Sequence, residues 1–152
     1  MPRGWRIVKS AHARTAFDGE GARLYGGRWN SPGTAVVYTA QGESLAALEL
    51  VVHMQATHIL MSYCSIPADF DNSVVRVVDP AALPADWRDF PAPRALQQIG
   101  DQWAVEQRSV VLQVPSAIVP AELNYILNPR HPDFTQITIG SPSQFPFDPR
   151  FK

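Results

Sequence analysis

Proline limits this chain more than any other residue. There are 14 prolines in 152 residues, and each lacks a backbone N–H and breaks a helix interior or a central strand. Regular elements must therefore fall in the gaps between them, and two gaps carry regular patterns. From 33 to 66 the pattern is strand, helix, strand: an apolar run at 35–39, a helix from 44 to about 55, and a β-branched, aromatic stretch at 58–66. From 94 to 114, Leu96, Ile99 and Trp103 recur at helical spacing over polar Gln97, Gln98, Asp101 and Gln102, and 109–114 follows as a strand. Residues 5–8, 73–78 and 136–139 are further strand candidates. Pro80, Pro84, Pro91 and Pro93 make 79–93 a long irregular connection. Short strands mixed with two or three helices point to an α+β class, and residues 1–152, without repeat or linker, read as one domain.

Charge excludes some functions. Lys and Arg number 13 against 14 Asp and Glu, a net charge of -1, so no general basic field exists to drive binding to a phosphate backbone. Direct nucleic-acid binding is not expected. Cys64 is the single cysteine, which suits a reducing cytosol. The N-terminal residues lack an apolar core of the signal-peptide kind. Residues 50–68 are 19 without a formal charge, but the polar His53, Gln55, Thr57, His58, Ser62 and Ser65 within them argue for a helix end and a strand rather than a membrane span.

Within the 44–55 helix Glu49 is the only charge, and positions 45, 48, 49 and 52 share one face that is otherwise apolar. A carboxylate there needs a cation, hydrogen-bonding partners or a solvent-filled cleft. It reads as a site residue or as half of a structural ion pair. Arg28 lies between Gly26-Gly27 and Ser31-Pro32-Gly33, the latter fitted to a type II turn. A guanidinium framed by turns either forks onto a phosphate or carboxylate or braces loop carbonyls. Gly19-Glu20-Gly21 lacks the third glycine of a dinucleotide fingerprint. Ser116 follows a strand end without a nucleophile elbow, which favours a hydrogen-bonding role. His131 is the one histidine in a polar loop, and His12, His53 and His58 lack metal-ligand spacing, so no metal is expected. Tyr38 ends the 35–39 strand region eleven residues before Glu49, close enough for a strand and the next helix to bring the two together. Phe145, Phe147 and Phe151 read as core packing, in preference to a surface for self-association or for a partner such as an antitoxin.

Taken together, Phe17-Asp18-Gly19-Glu20-Gly21-Ala22, Gly26-Gly27-Arg28-Trp29-Asn30, Val37-Tyr38, Ser44-Leu45-Ala46-Ala47-Leu48-Glu49, Gly100-Asp101-Gln102-Trp103, Val114-Pro115-Ser116-Ala117, Asn124 to Pro129 and Phe147-Asp148-Pro149-Arg150 resemble the RES domain family, named for an Arg, a Glu and a Ser. The name-giving positions here are Arg28, Glu49 and Ser116. The resemblance implies an ADP-ribosyltransferase-like fold with two small packed sheets and flanking helices around a cleft for NAD, which is substrate rather than prosthetic group. It implies a toxin of a toxin–antitoxin pair that depletes NAD by cleaving the nicotinamide N-glycosidic bond, through hydrolysis or phosphorolysis. A protein mono-ADP-ribosyltransferase and a non-catalytic partner-binding module are the alternatives. Arg28, Tyr38, Glu49 and Ser116 are then the catalytic set, and Arg28, Tyr38, Ser116 and Asn124 hold NAD. The implied partner is an Xre-like antitoxin with a helical DNA-binding domain that blocks the cleft, with room for a homodimer in the complex.

Overall fold

The computed structural model describes residues 1–151. The segments between prolines supply most of its regular elements. The strands are β1 (Arg3–Lys9), β2 (Val37–Ala40), β3 (Tyr63–Asp69), β4 (Val75–Val77), β5 (Val111–Pro115), β6 (Leu123–Leu127), β7 (Thr138–Ile139) and β8 (Ser143–Gln144), and the α-helices are α1 (Glu20–Tyr25), α2 (Glu43–Val51) and α3 (Arg94–Val105). The strands order as β4-β5-β6-β2-β1-β3-β7, with β8 also on β3. Only β4 and β5 run parallel.

This sheet has two halves. β2 pairs with β6 over four residues and β1 pairs with β3 over seven, yet β1 and β2 share the single pair Trp5–Ala40. The two small sheets of the α+β expectation are thus the halves of one hydrogen-bonded path. Past that pair the antiparallel register would set Ile7 against Tyr38, but the strands part. In place of a rung, Arg6 Nη1 donates to the Tyr38 carbonyl at 3.1 Å and Arg6 Nε donates to the Ala16 carbonyl at 2.6 Å.

Side-chain alternation sorts the core. Leu112, Val114 and Ile126 face α3, which buries Leu96, Gly100, Trp103 and Ala104 on one stripe against Trp29 and Val36. Val37, Val111, Tyr125 and Leu127 face the other way, toward Phe70, Val110 and Ile137. In the second half, α2 packs Ala47 with Ile7, Met54 and Tyr63, and Phe145 and Phe147 close over them. Phe147 stands edge-on to both Tyr63 and Phe145. The core reading of these two rings holds, whereas Phe151 is half exposed at the end of the aromatic row.

Several boundaries differ from the sequence expectation. The strand expected at 35–39 starts only at Val37, and the helix expected to 55 ends at Val51. The strand expected at 58–66 is a 3-10 turn, Ala56–Leu60, followed by β3, so residues 50–68 never form one long helix. Among the described residues no helix is long and apolar enough to cross a membrane. The strand expected at 73–78 shrinks to β4 after a 3-10 turn, Asn72–Val74. Three elements were not anticipated: α1, which begins inside Gly19-Glu20-Gly21, β6, which precedes the polar loop of His131, and the two-residue β8.

Gly100 sets the distance between α3 and the Trp29 backbone, because a Cβ there would lie 1.6 Å from the Trp29 carbonyl oxygen. Gly100→Ala gains about 1 kcal/mol of helix propensity but must push two backbone segments apart. The expected outcome is a net loss of about 1–3 kcal/mol, seen as a lower urea midpoint with an unchanged slope.

Candidate active site

A cavity of about 1180 Å3 opens where β1 and β2 part, with Arg6, Arg28, Tyr38, Glu49, His53 and Asn124 in its wall. That is at or above the roughly 300–1,000 Å3 of small-molecule sites. Tyr38 pairs with Ile126 and Ala40 with Asn124 across β2 and β6, which sets these side chains on one face of the sheet, and of the four Tyr38 and Asn124 line the opening.

Glu49 is partly buried, and each of its oxygens receives one hydrogen bond. Asn124 Nδ2 donates to Oε1 at 2.8 Å, and Ser116 Oγ donates to Oε2 at 2.9 Å. The donors have no freedom to reverse. Ser116 Oγ accepts from the backbone N–H groups of Ile118 and Val119, at 3.1 and 3.2 Å, which points its proton at Glu49. Asn124 Nδ2 also donates to the Thr39 carbonyl at 3.1 Å, which fixes which end of the amide faces Glu49. Two committed donors call for two acceptors, and an ionised carboxylate provides them. Burial still prevails over these bonds: desolvation, with a smaller push from Glu122, raises the Glu49 pKa, and the bonds from Asn124 and Ser116 hold it down.

Ser116 is fully buried and lies behind Glu49, outside the cavity wall, with its hydroxyl wholly engaged inside the protein. From there it orients the carboxylate. Asn124 reaches the cavity and the carboxylate together.

Arg28 does brace carbonyls, as one reading of its sequence context expected. Its Nη1 donates to the Trp87 and Asp89 carbonyls, both at 2.9 Å, and so ties down the proline-rich connection. The side chain nevertheless lines the cavity, and its Nε and Nη2 make no hydrogen bond among the described residues. Bracing thus leaves part of the guanidinium facing the cavity. Arg28 sits in the turn 27–30, closed by Gly27 N–H donating to the Asn30 carbonyl at 2.9 Å, and a second turn follows it. Thr34 N–H donates to the Ser31 carbonyl at 3.3 Å around Pro32 and Gly33, with Gly33 at φ 108°, the expected type II geometry. Tyr38 Oη donates to Asn30 Oδ1 at 2.6 Å and accepts from Trp29 N–H at 2.9 Å. A Cβ at Gly27 would lie 2.6 Å from that hydroxyl, so this approach requires glycine. Burial pushes the Tyr38 phenol well above its usual range.

Sequence reasoning missed two residues of the wall. Arg6 is a guanidinium without a carboxylate at ion-pair distance among the described residues, and burial lowers its pKa against a smaller lift from Asp18. A charge inside the Trp5–Val8 strand pattern was the available signal, by the same logic that singled out Glu49. His53 follows Glu49 by one helical turn and meets Phe90 across the mouth, ring centroids 5.6 Å apart. His131 lies elsewhere. Its Nδ1 accepts from Asp133 N–H at 2.9 Å and its Nε2 sits 3.0 Å from the Gln107 carbonyl, as a cap of the following 3-10 turn.

These bonds predict how Glu49 titrates. Its folded pKa lies above the unfolded value, so the group favours the fold at acid pH and that contribution is lost as pH rises through the folded value. In Ser116→Ala one of the bonds that lowers the pKa is gone, and the Glu49 midpoint followed by carboxyl-carbon NMR is expected to move further up. The orphaned Ile118 and Val119 N–H groups cost about 1–3 kcal/mol of stability in the same variant. Tyr38→Phe, which leaves Trp29 N–H and Asn30 Oδ1 without their partner, is expected to lower stability by a similar amount of about 1–3 kcal/mol, measurable by urea denaturation.

Comparison with known proteins gives the family of the chain. A profile of the RES domain matches residues 3–148. The protein named Toxin Res of Yersinia enterocolitica is 40% identical over 149 residues, spanning 97% of this chain and 98% of its own. The Prs ADP-ribosylating toxin of a Sphingobium species is 39% identical over 151 residues, spanning 96% and 94%. In the crystal structure of the M. tuberculosis MbcT–MbcA toxin–antitoxin complex, one chain superposes with a TM-score of 0.73 at 18% identity, covering 98% of this chain and 85% of that one. This establishes the ADP-ribosyltransferase-like RES fold, and with relatives this similar over their whole length the chain belongs to the RES domain family as one of its toxins.

Proposed function

We propose that this toxin binds NAD in the cavity beside Glu49 and cleaves its nicotinamide–ribose bond, depleting the dinucleotide and arresting growth. The observation that carries this reading is Glu49 itself, a carboxylate kept as a double acceptor by Ser116 and Asn124 in the wall of a dinucleotide-sized opening.

The chemistry suits such a group. When the bond from ribose C1′ to the nicotinamide nitrogen breaks, its electron pair stays with nicotinamide, which leaves neutral and needs no general acid. The sugar left behind is an oxocarbenium-like cation. Glu49 accepts a hydrogen bond from a ribose hydroxyl and sets negative charge beside that developing cation, an interaction strongest in the transition state. Arg28 and Arg6 offer positive charge to the diphosphate. The Tyr38 ring faces the cationic nicotinamide of the ground state. Asn124 Oδ1, which makes no hydrogen bond among the described residues, is left for the ribose or the nicotinamide amide. Ser116 acts through Glu49. Water adding to C1′ gives ADP-ribose and releases a proton to solvent, whereas phosphate adding there completes a phosphorolysis.

A second reading is transfer of the ADP-ribosyl group to a protein side chain, favoured by the name of the Sphingobium relative. The likeness to a toxin–antitoxin complex supports a partner, here an Xre-like antitoxin covering the cleft in the cytosol, in a complex that leaves room for a toxin homodimer.

Labelled NAD mixed with pure protein, with and without phosphate, separates the acceptors by mass spectrometry. Soluble ADP-ribose or its 1″-phosphate is expected; stoichiometric labelling of one host protein would favour the second reading instead. Glu49→Gln places an NH2 against one of two fixed donors and removes the charge. Its rate of nicotinamide release is expected to fall on the order of 100-fold or more. If growth arrest survives this substitution, the chain is a binding module and the enzymatic reading fails. The acid limb of kcat/KM is expected above the ordinary glutamate range, since catalysis uses the ionised form of a group whose pKa is raised.

A further inference from the structure

We propose that Tyr25 is the platform on which the adenine ring of the dinucleotide stacks, and so the residue that lets this site prefer NAD over the mononucleotide; the proposal rests on the NAD reading above. Tyr25 is 84% exposed although it lines the cavity. A large aromatic left almost bare at the mouth of a ligand site calls for an explanation in a way that a scattered surface leucine does not.

Its position follows from a chain of contacts. Glu49 is bonded to Asn124, which stands opposite Ala40 in the β2–β6 ladder. Two residues back along β2, Tyr38 reaches Trp29 N–H and Asn30 with its hydroxyl and closes on Gly27. Arg28 follows Gly27, and Tyr25 ends α1 just before the Gly26–Gly27 turn. Carboxylate, aromatic ring, guanidinium and exposed aromatic ring thus follow one another through these contacts and the Tyr25–Arg28 backbone, and all four line the cavity. NAD has a matching order: ribose beside nicotinamide, then diphosphate, then adenosine. With the nicotinamide riboside at Glu49 and Tyr38 and the diphosphate at Arg28, adenine is carried on toward Tyr25.

Phe90, the other exposed benzene-type ring of the lining, lies beside Asp89, which holds Arg28, but it already packs on His53, so it is less free to stack. Base–aromatic stacking needs only a free face, which Tyr25 has; loss of such a platform weakens binding on the order of 10-fold.

The test is nicotinamide release from NAD and from nicotinamide mononucleotide, which has no adenine, by the wild type, Tyr25→Ala and Tyr25→Phe. Tyr25→Ala is expected to raise KM for NAD about 10-fold with kcat unchanged, Tyr25→Phe to restore it, and the mononucleotide to show the same KM in all three. An unchanged KM for NAD overturns the assignment, as does an equal rise for both substrates, which would place Tyr25 in the fold or at the nicotinamide end. A wild type that releases no nicotinamide from NAD overturns the NAD reading itself, and the adenine platform with it. An active wild type beside an indifferent Tyr25→Ala defeats the platform alone.

Discussion

The site depends on a count of donors around one carboxylate. Ser116 can only donate to Glu49, because both N–H groups of the turn after it already occupy its oxygen. Asn124 can only donate, because the Thr39 carbonyl holds its amide in one orientation. An acceptor pair is thus required at Glu49, and burial works against the charge that supplies it. The two opposed effects leave a partly buried carboxyl group oriented by two fixed donors. Its ionised form is already aimed at any positive charge that develops before it, so little reorganisation is needed.

The scaffold makes room for such a group by incomplete pairing. Strands β1 and β2 could continue their ladder past Trp5–Ala40, and the register allows it. Arg6 takes the position instead, satisfying the Tyr38 carbonyl with a side chain that also carries charge into the opening. The backbone group is paired, as buried groups must be, and the cavity gains a cation. Arg28 does the same on the opposite rim, where one nitrogen satisfies two loop carbonyls and the others remain available. Structural bracing and ligand binding are not alternatives for these arginines, because a guanidinium has enough donors for both.

Much of this was legible in the sequence, for identifiable reasons. Glu49 is conspicuous because helical periodicity puts one charge on an apolar face. The glycines and the Ser31-Pro32-Gly33 turn mark Arg28 through backbone geometry that few residues adopt. Other features were hidden. β6 begins Leu-Asn-Tyr and ends beside Asn128, so polar residues that turn out to be bonded to Glu49, Thr39 and the Ala104 carbonyl gave it the look of a loop. α1 is six residues long with a glycine inside, too short to persist on propensity alone; Asn30, donating to the Ala22 carbonyl, helps to hold it. The proton inventory that fixes Ser116 involves backbone groups, which no side-chain pattern records. Its position behind Glu49, outside the cavity wall, therefore emerges only from the coordinates.

The lone rung between the two halves has one more consequence. From β4 to β3 every other pair of neighbouring strands is joined by three or more residue pairs, whereas β1 and β2 meet at Trp5–Ala40 alone. What stitches the two halves beyond that point is side chains: Arg6 on the Tyr38 carbonyl, and Ala47 of α2 against Ile7. The site therefore sits on a seam whose closure is written in side chains, where a single substitution such as one at Arg6 changes both the stitching and the charge of the opening.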